Sequence, residues 1–316
     1  TPGSPTTGIT GMTTPGTYTF RWTIANSPCT STTDDVDVVV GVCTYYSRAD
    51  GNVGDAIWSD TPTGTAGSAT FTATTSMVIQ SSDVVALNAN TTINDLTVDA
   101  GGQLDLGAYT LTVSGDLFDV NGAFTAADNS LILFNSTALT TLESTPALSL
   151  YDLTANTPGD MLVDATINIR GTLLLQDGDF DASIATITLG SNASGTGRLG
   201  PVAASASYTG DLTMQRYIPA GATNWRMMGS PVGGQTVNNW KDDFYTAGFP
   251  GSHSPNFASP VGSGILWPSV RWYDETDTGA GVNDGLTGAT STSQALTAGQ
   301  GFAAWCGTGL NTTTAF

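Results

Sequence analysis

The fold is decided by a sequence that occurs twice, LTVSGDLFDVNGAF at residues 111–124 and INIRGTLLLQDGDF at residues 167–180. An offset of 56 residues aligns four pairs: Gly115 with Gly171, Leu117 with Leu173, Gly122 with Gly178, and Phe124 with Phe180. One residue more aligns Asp95-Leu-Thr97 with Asp152-Leu-Thr154. A fixed period of this kind indicates stacked units, each of which buries its apolar face against its neighbours.

The repeated units are predicted to be β-strands. Runs such as Thr110–Val113 alternate polar and apolar residues with a period of two, and Gly, Asn and Asp lie between the runs. This pattern predicts a parallel β-helix with about 18–28 residues per coil. One period of 56 residues then holds two or three coils. We expect four side chains to point into the core at equivalent levels of the stack: Leu117, Leu173, Phe124 and Phe180.

The composition favours an all-β protein of two or three domains. Among the 316 residues there are 38 glycines, and 40% of the residues are hydrophobic while only 11% are charged. β-Branched residues pack well on a pleated surface and glycine turns corners. The sequence contains no convincing amphipathic helix, so we expect little α-structure.

The charge balance excludes several classes of partner. The chain has 27 acidic and 8 basic residues, a net charge of −19, and its single lysine and seven arginines are scattered. Binding to nucleic acid or anionic lipid needs clustered basic residues, so neither partner is expected. The acidity fits a dispersed extracellular protein or weak capture of divalent cations. No apolar run reaches the roughly 18 residues of a spanning helix, so a membrane-spanning protein is not expected.

Residues 1–43 are predicted to be the end of a β-sandwich. Gly16–Ile24 alternates apolar and polar residues, and a second apolar run, Val36–Val42, follows a polar turn. Two strands alone are marginally stable, so this hairpin needs cover for the face that carries Tyr18, Phe20 and Trp22. The missing strands either precede residue 1 in a longer polypeptide or come from a neighbouring copy. The second arrangement makes head-to-tail contacts, which produce a filament when they do not close.

Two N-terminal segments resemble parts of large surface proteins of Bacteroidota. GTYTFRWTIANSPC (residues 16–29) followed by DDVDVVV (residues 34–40) resembles the last two strands of their PKD-like or Ig-like modules. YYSRADGNVGDAIWSDTPTGTAG (residues 45–67) is similar to secreted proteins of that phylum whose repeat stalk carries a β-helix. From the residues themselves, we predict a turn-rich connector here, anchored by Trp58.

Residues 205–316 have a different character, because five of the seven tryptophans lie here with Pro and Gly between short strands. The ordered motifs QRYIPAGATNWRMMGSPV, TAGFPGSHSP, RWYDE and LTAGQGF resemble a module common in Bacteroidota proteins exported by the type IX secretion system. The resemblance implies an extracellular β-rich domain of sandwich type and no established activity. The predicted domains are therefore residues 1–43, 44–204 and 205–316.

Two acidic groups are candidate calcium sites. The first consists of Asp177, Asp179 and Asp181, which alternate along one predicted strand and are expected on one face. The second consists of Asp274, Glu275, Asp277 and Asp284 in a glycine-rich loop. Carboxylate oxygens bind Ca²⁺, the one cofactor that the sequence suggests. The alternatives are solvated turns and, for the first group, acid–base catalysis on a glycan.

The remaining reactive residues indicate no catalytic or zinc site. His253 is expected in a solvent-facing turn, and the sequence has no G-x-S-x-G nucleophile elbow. One histidine and three dispersed cysteines lack zinc-ligand spacing. A disulfide between Cys29 and Cys43 is not expected, because a hairpin separates them by roughly 20 Å. The C-terminal tryptophans either fill a core or stack on sugars.

These observations predict a non-catalytic extracellular structural protein at the cell surface. It would be an adhesin stalk or a filament subunit, assembled end to end from copies of itself or from neighbouring modules. The alternative is a carbohydrate-binding or polysaccharide-cleaving β-helix protein with glycans as partners. A long cleft lined by acids and aromatic residues favours the alternative, whereas smooth, Thr-covered faces favour the stalk.

Overall fold

The computed structural model describes residues 12, 16–25, 28–41, 43–219, 223–241, 243–277, 285–306 and 313–315. Within these residues the protein is almost entirely β, as predicted, and its one helix, α1, spans Val237–Lys241. An antiparallel hairpin comes first, a parallel β-helix follows, and a four-stranded antiparallel sheet lies near the C-terminal end. No helix in this part of the chain has the length and apolar character needed to cross a membrane.

The N-terminal hairpin consists of β1 (Gly16–Ile24) and β2 (Thr32–Val40). Its antiparallel register runs from the pair Gly16 and Val40 to the pair Ile24 and Thr32. The predicted strand pair is therefore confirmed.

The β-helix has three-sided coils, with one strand on each face. The first face contains β3 (Cys43–Ser47), β6 (Thr75–Ile79), β9 (Leu96–Val98), β12 (Leu117–Val120), β15 (Thr140–Ser144) and β18 (Met161–Asp164). The second face contains β4 (Gly51–Asn52), β7 (Val84–Ala86), β10 (Gln103–Asp105), β13 (Ala123–Thr125), β16 (Leu148–Leu150) and β19 (Thr166–Ile169). The third face contains β8 (Thr91–Ile93), β11 (Thr110–Val113), β14 (Leu131–Phe134), β17 (Asp152–Asn156) and β23 (Arg198–Leu199).

Two long strands turn the corners of the last coils. The first of them, β20 (Thr172–Leu189), pairs in turn with β17, β18 and β19, and so contributes to all three faces. The second, β24 (Ala206–Tyr217), continues the first two faces by pairing with β20 as far as Met214. The stack therefore extends beyond the predicted boundary at residue 204. We number the coils 1 to 7, beginning with β6.

The coil length agrees with the prediction from the sequence. Between coils 1 and 7, register partners are separated by 19 residues (Met161 to Phe180) up to 28 residues (Phe180 to Tyr208). The 56-residue period, in contrast, spans eight strands, because its aligned motifs lead into β9 and β17. At three strands per coil, eight strands make two coils and two further faces. The repeated sequence therefore recurs on a different face of the β-helix.

This shift overturns part of the predicted core. Leu173 and Phe180 are fully buried and Phe124 is half-buried against the core, but Leu117 lies on the outer side of β12. Phe118 is buried in its place. The reason is that β12 begins two residues after its corner glycine, whereas β20 begins one residue after the equivalent glycine. A change of one residue at the start of a strand reverses which side chains point inward.

The repeated motif encodes a corner of the coil. The carboxylate Oδ1 of Asp95 accepts hydrogen bonds from the backbone N–H of Asp116 (3.0 Å) and Leu117 (3.1 Å) on the next coil. The equivalent Asp152 accepts one from the N–H of Thr172 at 2.6 Å. A Cβ at Gly115 would overlap the Asp95 carboxylate, and one at Gly171 would overlap that of Asp152. The aspartate and the glycine are therefore required together.

The core of the β-helix is a continuous apolar column. On the first face, residues in register on successive coils are fully buried: Met77, Leu96, Phe118, Leu142, Val163 and Ala182. Each large apolar side chain of this kind contributes about 1.5–3 kcal/mol by leaving water. At the start of the stack, Trp58 in β5 (Trp58–Ser59) is also buried, and its indole Nε1 donates to the Val53 carbonyl at 2.9 Å. The predicted anchoring role of Trp58 is confirmed.

The C-terminal part has its own core beneath an antiparallel sheet. The sheet order is β25 (Asn224–Gly229), β30 (Gly301–Cys306), β27 (Val270–Tyr273) and β28 (Leu286–Gly288). The other short strands are β21 (Ser191–Asn192), β22 (Gly195–Thr196), β26 (Gln235–Thr236), β29 (Ala295–Leu296) and β31 (Thr313–Ala315). Trp240 of α1 and Phe302 of β30 are buried together with ring centroids 5.7 Å apart. The antiparallel pairing of β31 with β24 joins this part to the end of the stack.

Candidate functional site

The first predicted calcium group lies where β20 passes from the third face to the first. Asp177 is at the corner, while Asp179 and Asp181 point outward, because Phe180 and Ala182 beside them are buried. The outward placement of two of the three aspartates is therefore as predicted.

Each outward carboxylate of this group has its own local donors. Asp179 accepts hydrogen bonds from the Ser207 hydroxyl at 2.8 Å and the Thr209 hydroxyl at 3.1 Å, both on the next coil. Asp181 accepts one from the backbone N–H of Ser183 at 2.9 Å. Hydrogen bonding from the Ser183 side chain and backbone lowers the pKa of Asp181. The two carboxylates are thus directed to different partners.

The second predicted group is also bonded locally. The carboxylate of Asp274 accepts hydrogen bonds from the N–H (2.9 Å) and the hydroxyl (2.6 Å) of Thr276, which lower the pKa of Asp274. Asp277 accepts one from the N–H of Gly285 at 3.3 Å, and Glu275 is exposed. The fourth residue, Asp284, lies outside the described residues.

Calcium binding stays a prediction. In the described part of the chain, no three Asp, Glu, His or Cys side chains are grouped so that they could share a metal ion. A bound ion would stabilise the native state, because a ligand that binds only the folded protein raises its stability. Thermal melts in EDTA and in millimolar Ca²⁺ test this, and superimposable curves would contradict the prediction.

The structure reveals an acidic row that sequence reasoning missed. Asp119 of β12 is in register with Glu143 of β15, and Glu143 with Asp164 of β18. Neighbouring strands lie about 4.7–4.9 Å apart, so three carboxylates line the outer side of the first face. The sequence spacings of 24 and 21 residues between them differ because the loops differ in length. No fixed period therefore identifies this row, which we call the acidic ladder.

The first member of the acidic ladder has a perturbed proton affinity. Partial burial raises the pKa of Asp119, a hydrogen bond from Asn121 opposes this, and the nearby Asp99 carboxylate adds to the rise. A carboxyl group with a raised pKa beside ionised carboxylates is the combination that glycan hydrolysis uses. The acidic ladder therefore belongs to the polysaccharide-cleaving alternative.

The single histidine and the cysteines have structural surroundings. His253 is exposed in a bend, as predicted; its ring stacks on Tyr245 at 4.8 Å, and its Nδ1 lies 3.2 Å from the Thr246 hydroxyl. The three cysteines are free thiols: Cys29 and Cys43 are exposed and Cys306 is buried. Burial raises the pKa of the Cys306 thiol, which makes it a weak nucleophile.

The C-terminal tryptophans divide into two groups. Trp240 is buried and Trp272 packs against the same core. Trp225, Trp267 and Trp305 instead form a half-exposed cluster with ring centroids 5.1–5.5 Å apart. We call these three the tryptophan cluster. The guanidinium of Arg271 lies 5.2 Å from the ring centre of Trp225 and 5.3 Å from that of Trp267, close enough for cation–π attraction.

The hairpin face that the sequence predicted to need cover remains open. Trp22 is 64% exposed and Val36, on the partner strand, is 60% exposed. Within the described residues, β1 and β2 pair only with each other. On the opposite face, Arg21 and Asp35 form a two-bond salt bridge with both N–O distances at 2.8 Å. The hairpin thus has one polar face closed by an ion pair and one apolar face in solvent.

Comparison of the chain with protein-family models, with curated proteins and with solved structures found no match.

Proposed function

We propose that the protein is a non-catalytic structural component of the cell exterior, an adhesin stalk or filament subunit assembled end to end. The observation that carries this proposal is the open apolar face of the β1–β2 hairpin. A two-stranded sheet is marginally stable in water, and its unpaired edges pair readily with further strands. The partner that we infer is a neighbouring copy of the chain, which adds strands to the hairpin.

The β-helix is suited to a rod-like role. Coils spaced at about 4.8 Å make the seven coils roughly 30 Å long, and the core within them is apolar throughout. Threonine occupies outward positions on successive first-face and third-face strands, among them Thr97, Thr112 and Thr141. Smooth Thr-covered faces support the stalk rather than an enzyme with a long cleft.

Assembly through the hairpin predicts a linear product. A hairpin at one end of the chain and an acceptor surface elsewhere on the next copy make a head-to-tail contact. Such contacts produce open filaments unless the rotation between copies closes a ring. The net charge of −19 disfavours unspecific association of the copies, so their contact must be specific.

Electron microscopy of two variants tests the proposal. Removing residues 1–41 deletes the hairpin and leaves β3 intact, and Trp22→Glu places a charge on the open apolar face. We expect linear assemblies from the whole chain and only single particles from both variants. Ile184→Glu is the matched control, because Ile184 is 61% exposed on the β-helix and lies outside the hairpin. Native-looking fibres from the truncated chain would contradict the proposal.

Carbohydrate binding is the second candidate function, and the tryptophan cluster favours it. Partly exposed indole rings offer flat, amphipathic surfaces that stack on sugar rings. Trp305→Ala should then weaken retardation of the protein in gels that contain a neutral polysaccharide. Equal mobility of the variant and the unchanged protein in such gels would exclude a role for the cluster.

A further inference from the structure

A polar pocket of about 360 Å³ lies on the edge between the second and third faces of coils 3 to 6. Two projecting segments bound it along the stack: the connection between β13 and β14, with Asp128 and Asn129, and the β21–β22 hairpin. Between them the corners are short, since only Tyr151 separates β16 from β17. The pocket therefore results from two long corners that flank two short ones. We call it the edge pocket.

Two arginines line the edge pocket, and one of them has free donors. The guanidinium of Arg170 is held by the Asp128 carboxylate at 2.7 Å and the Ala126 carbonyl at 2.8 Å. Arg198 donates its Nε–H to the Thr172 hydroxyl at 3.0 Å. Its two terminal nitrogens have no hydrogen-bond partner within the described residues, and the side chain is exposed. Up to four N–H groups of Arg198 are thus available to a ligand.

Acceptors and further donors lie opposite Arg198. The Oδ1 atom of Asp152 accepts from the backbone of Thr172, which leaves its second oxygen unused. Asn192 uses its Oδ1 to accept from the N–H of Ser194 and Gly195, which leaves its amide N–H groups unused. The half-buried ring of Tyr151 forms part of the wall.

The balance of charge selects the ligand class. Two arginines and two aspartates line the edge pocket, so it is locally neutral although the chain carries −19. An anionic ligand would face Asp128 and Asp152, and a cationic ligand would face Arg170 and Arg198. A hydroxyl group donates and accepts at once, so an uncharged polyhydroxylated ligand satisfies both kinds of partner. The volume is within the range of small-molecule sites, roughly 300–1,000 Å³.

We propose that the edge pocket binds one or two units of a neutral saccharide. Arg198 and Asn192 donate to sugar oxygens, Asp152 accepts from sugar hydroxyls, and the Tyr151 ring packs on the sugar face. The inference rests on the carbohydrate-binding candidate function and is independent of end-to-end assembly.

Isothermal titration of the whole chain with maltose, cellobiose and lactose tests the proposal, with digalacturonate as the charged probe. We expect at least one neutral disaccharide to bind, and Arg198→Ala and Tyr151→Ala each to weaken its Kd about tenfold or more. Tyr109→Ala is the matched control, because Tyr109 precedes β11 on the same edge of coil 2 and lies outside the pocket. Thermal melts of all variants check folding, and the exposed Arg198 keeps the test usable if Tyr151→Ala fails to fold.

Three results would overturn the proposal: no binding of a neutral disaccharide at millimolar concentration, binding of digalacturonate alone, or binding that neither pocket variant changes. If the pocket variants have no effect and Trp305→Ala abolishes binding, the saccharide site lies at the tryptophan cluster. The carbohydrate-binding candidate function would then stand, while the edge pocket would have no part in it.

Discussion

Asp119 and Glu143 occupy the same register position on neighbouring coils, so two carboxylates lie side by side on the outer first face. Like charges opposite one another on adjacent strands are destabilising. Asp164 extends the row on the next coil. The acidic ladder therefore costs stability in a fold whose other registers are favourable.

Removing the central charge of the acidic ladder should stabilise the protein. We expect Glu143→Gln to raise the free energy of unfolding by about 0.2–1 kcal/mol, and by more at low ionic strength, where screening is weaker. Urea unfolding at low and at physiological salt measures this. Glu275→Gln makes the same change of net charge in an exposed loop and serves as control. Equal effects of the two variants would show that total charge, and not the ladder, is responsible.

The inward residue of β12 provides a direct test of the coil register. Phe118 is fully buried, and its ring lies 5.5 Å from that of Phe134 and 5.8 Å from that of Phe124, whereas Leu117 faces outward. Phe118→Ala should therefore cost about 3–5 kcal/mol of unfolding free energy. Leu117→Ala, one residue away, should cost much less. A larger loss for Leu117→Ala would restore the register that the 56-residue alignment predicts.

The comparison of Leu117 with Phe118 shows how far the sequence alone reaches. The alternation of apolar residues and the Asp95–Gly115 corner motif suffice to predict strands, stacking and coil length. They do not determine on which face a repeated motif recurs, because that depends on counting strands through irregular corners. A single residue at a corner then reverses the inward and outward positions.

The candidate sites were less predictable for a related reason. Asp119, Glu143 and Asp164 come together only through registers that loop lengths decide. The edge pocket likewise depends on which corners project. The apolar face of the hairpin was predictable, because Tyr18, Phe20 and Trp22 alternate within one strand and need no long-range register.

Phe180 and Tyr208 stack across the last two coils with ring centroids 5.7 Å apart and planes inclined by 15°. The Tyr208 hydroxyl donates to the Asp211 carbonyl at 2.8 Å, and burial, with a contribution from the Asp211 charge, raises its pKa to about 12. The native state thus holds this proton more tightly than the unfolded chain. The stabilisation is complete below the ordinary tyrosine pKa of about 10 and is lost as the pH rises to about 12.

An absorbance titration of tyrosinate measures this effect. We expect one group to ionise near pH 12, with a loss of stability between about pH 10 and 12, and Tyr208→Phe to remove that step. Tyr273→Phe, which alters an exposed tyrosine, is the control. An unchanged step in Tyr208→Phe would contradict the burial of this side chain.

The central claim, that copies of the chain join end to end through the open hairpin, is tested most directly by sedimentation velocity of the whole chain over a range of concentrations. We predict masses that rise with concentration in whole multiples of 32.3 kDa, together with frictional ratios that increase as elongated species form. A mass of 32.3 kDa at every concentration would contradict the claim.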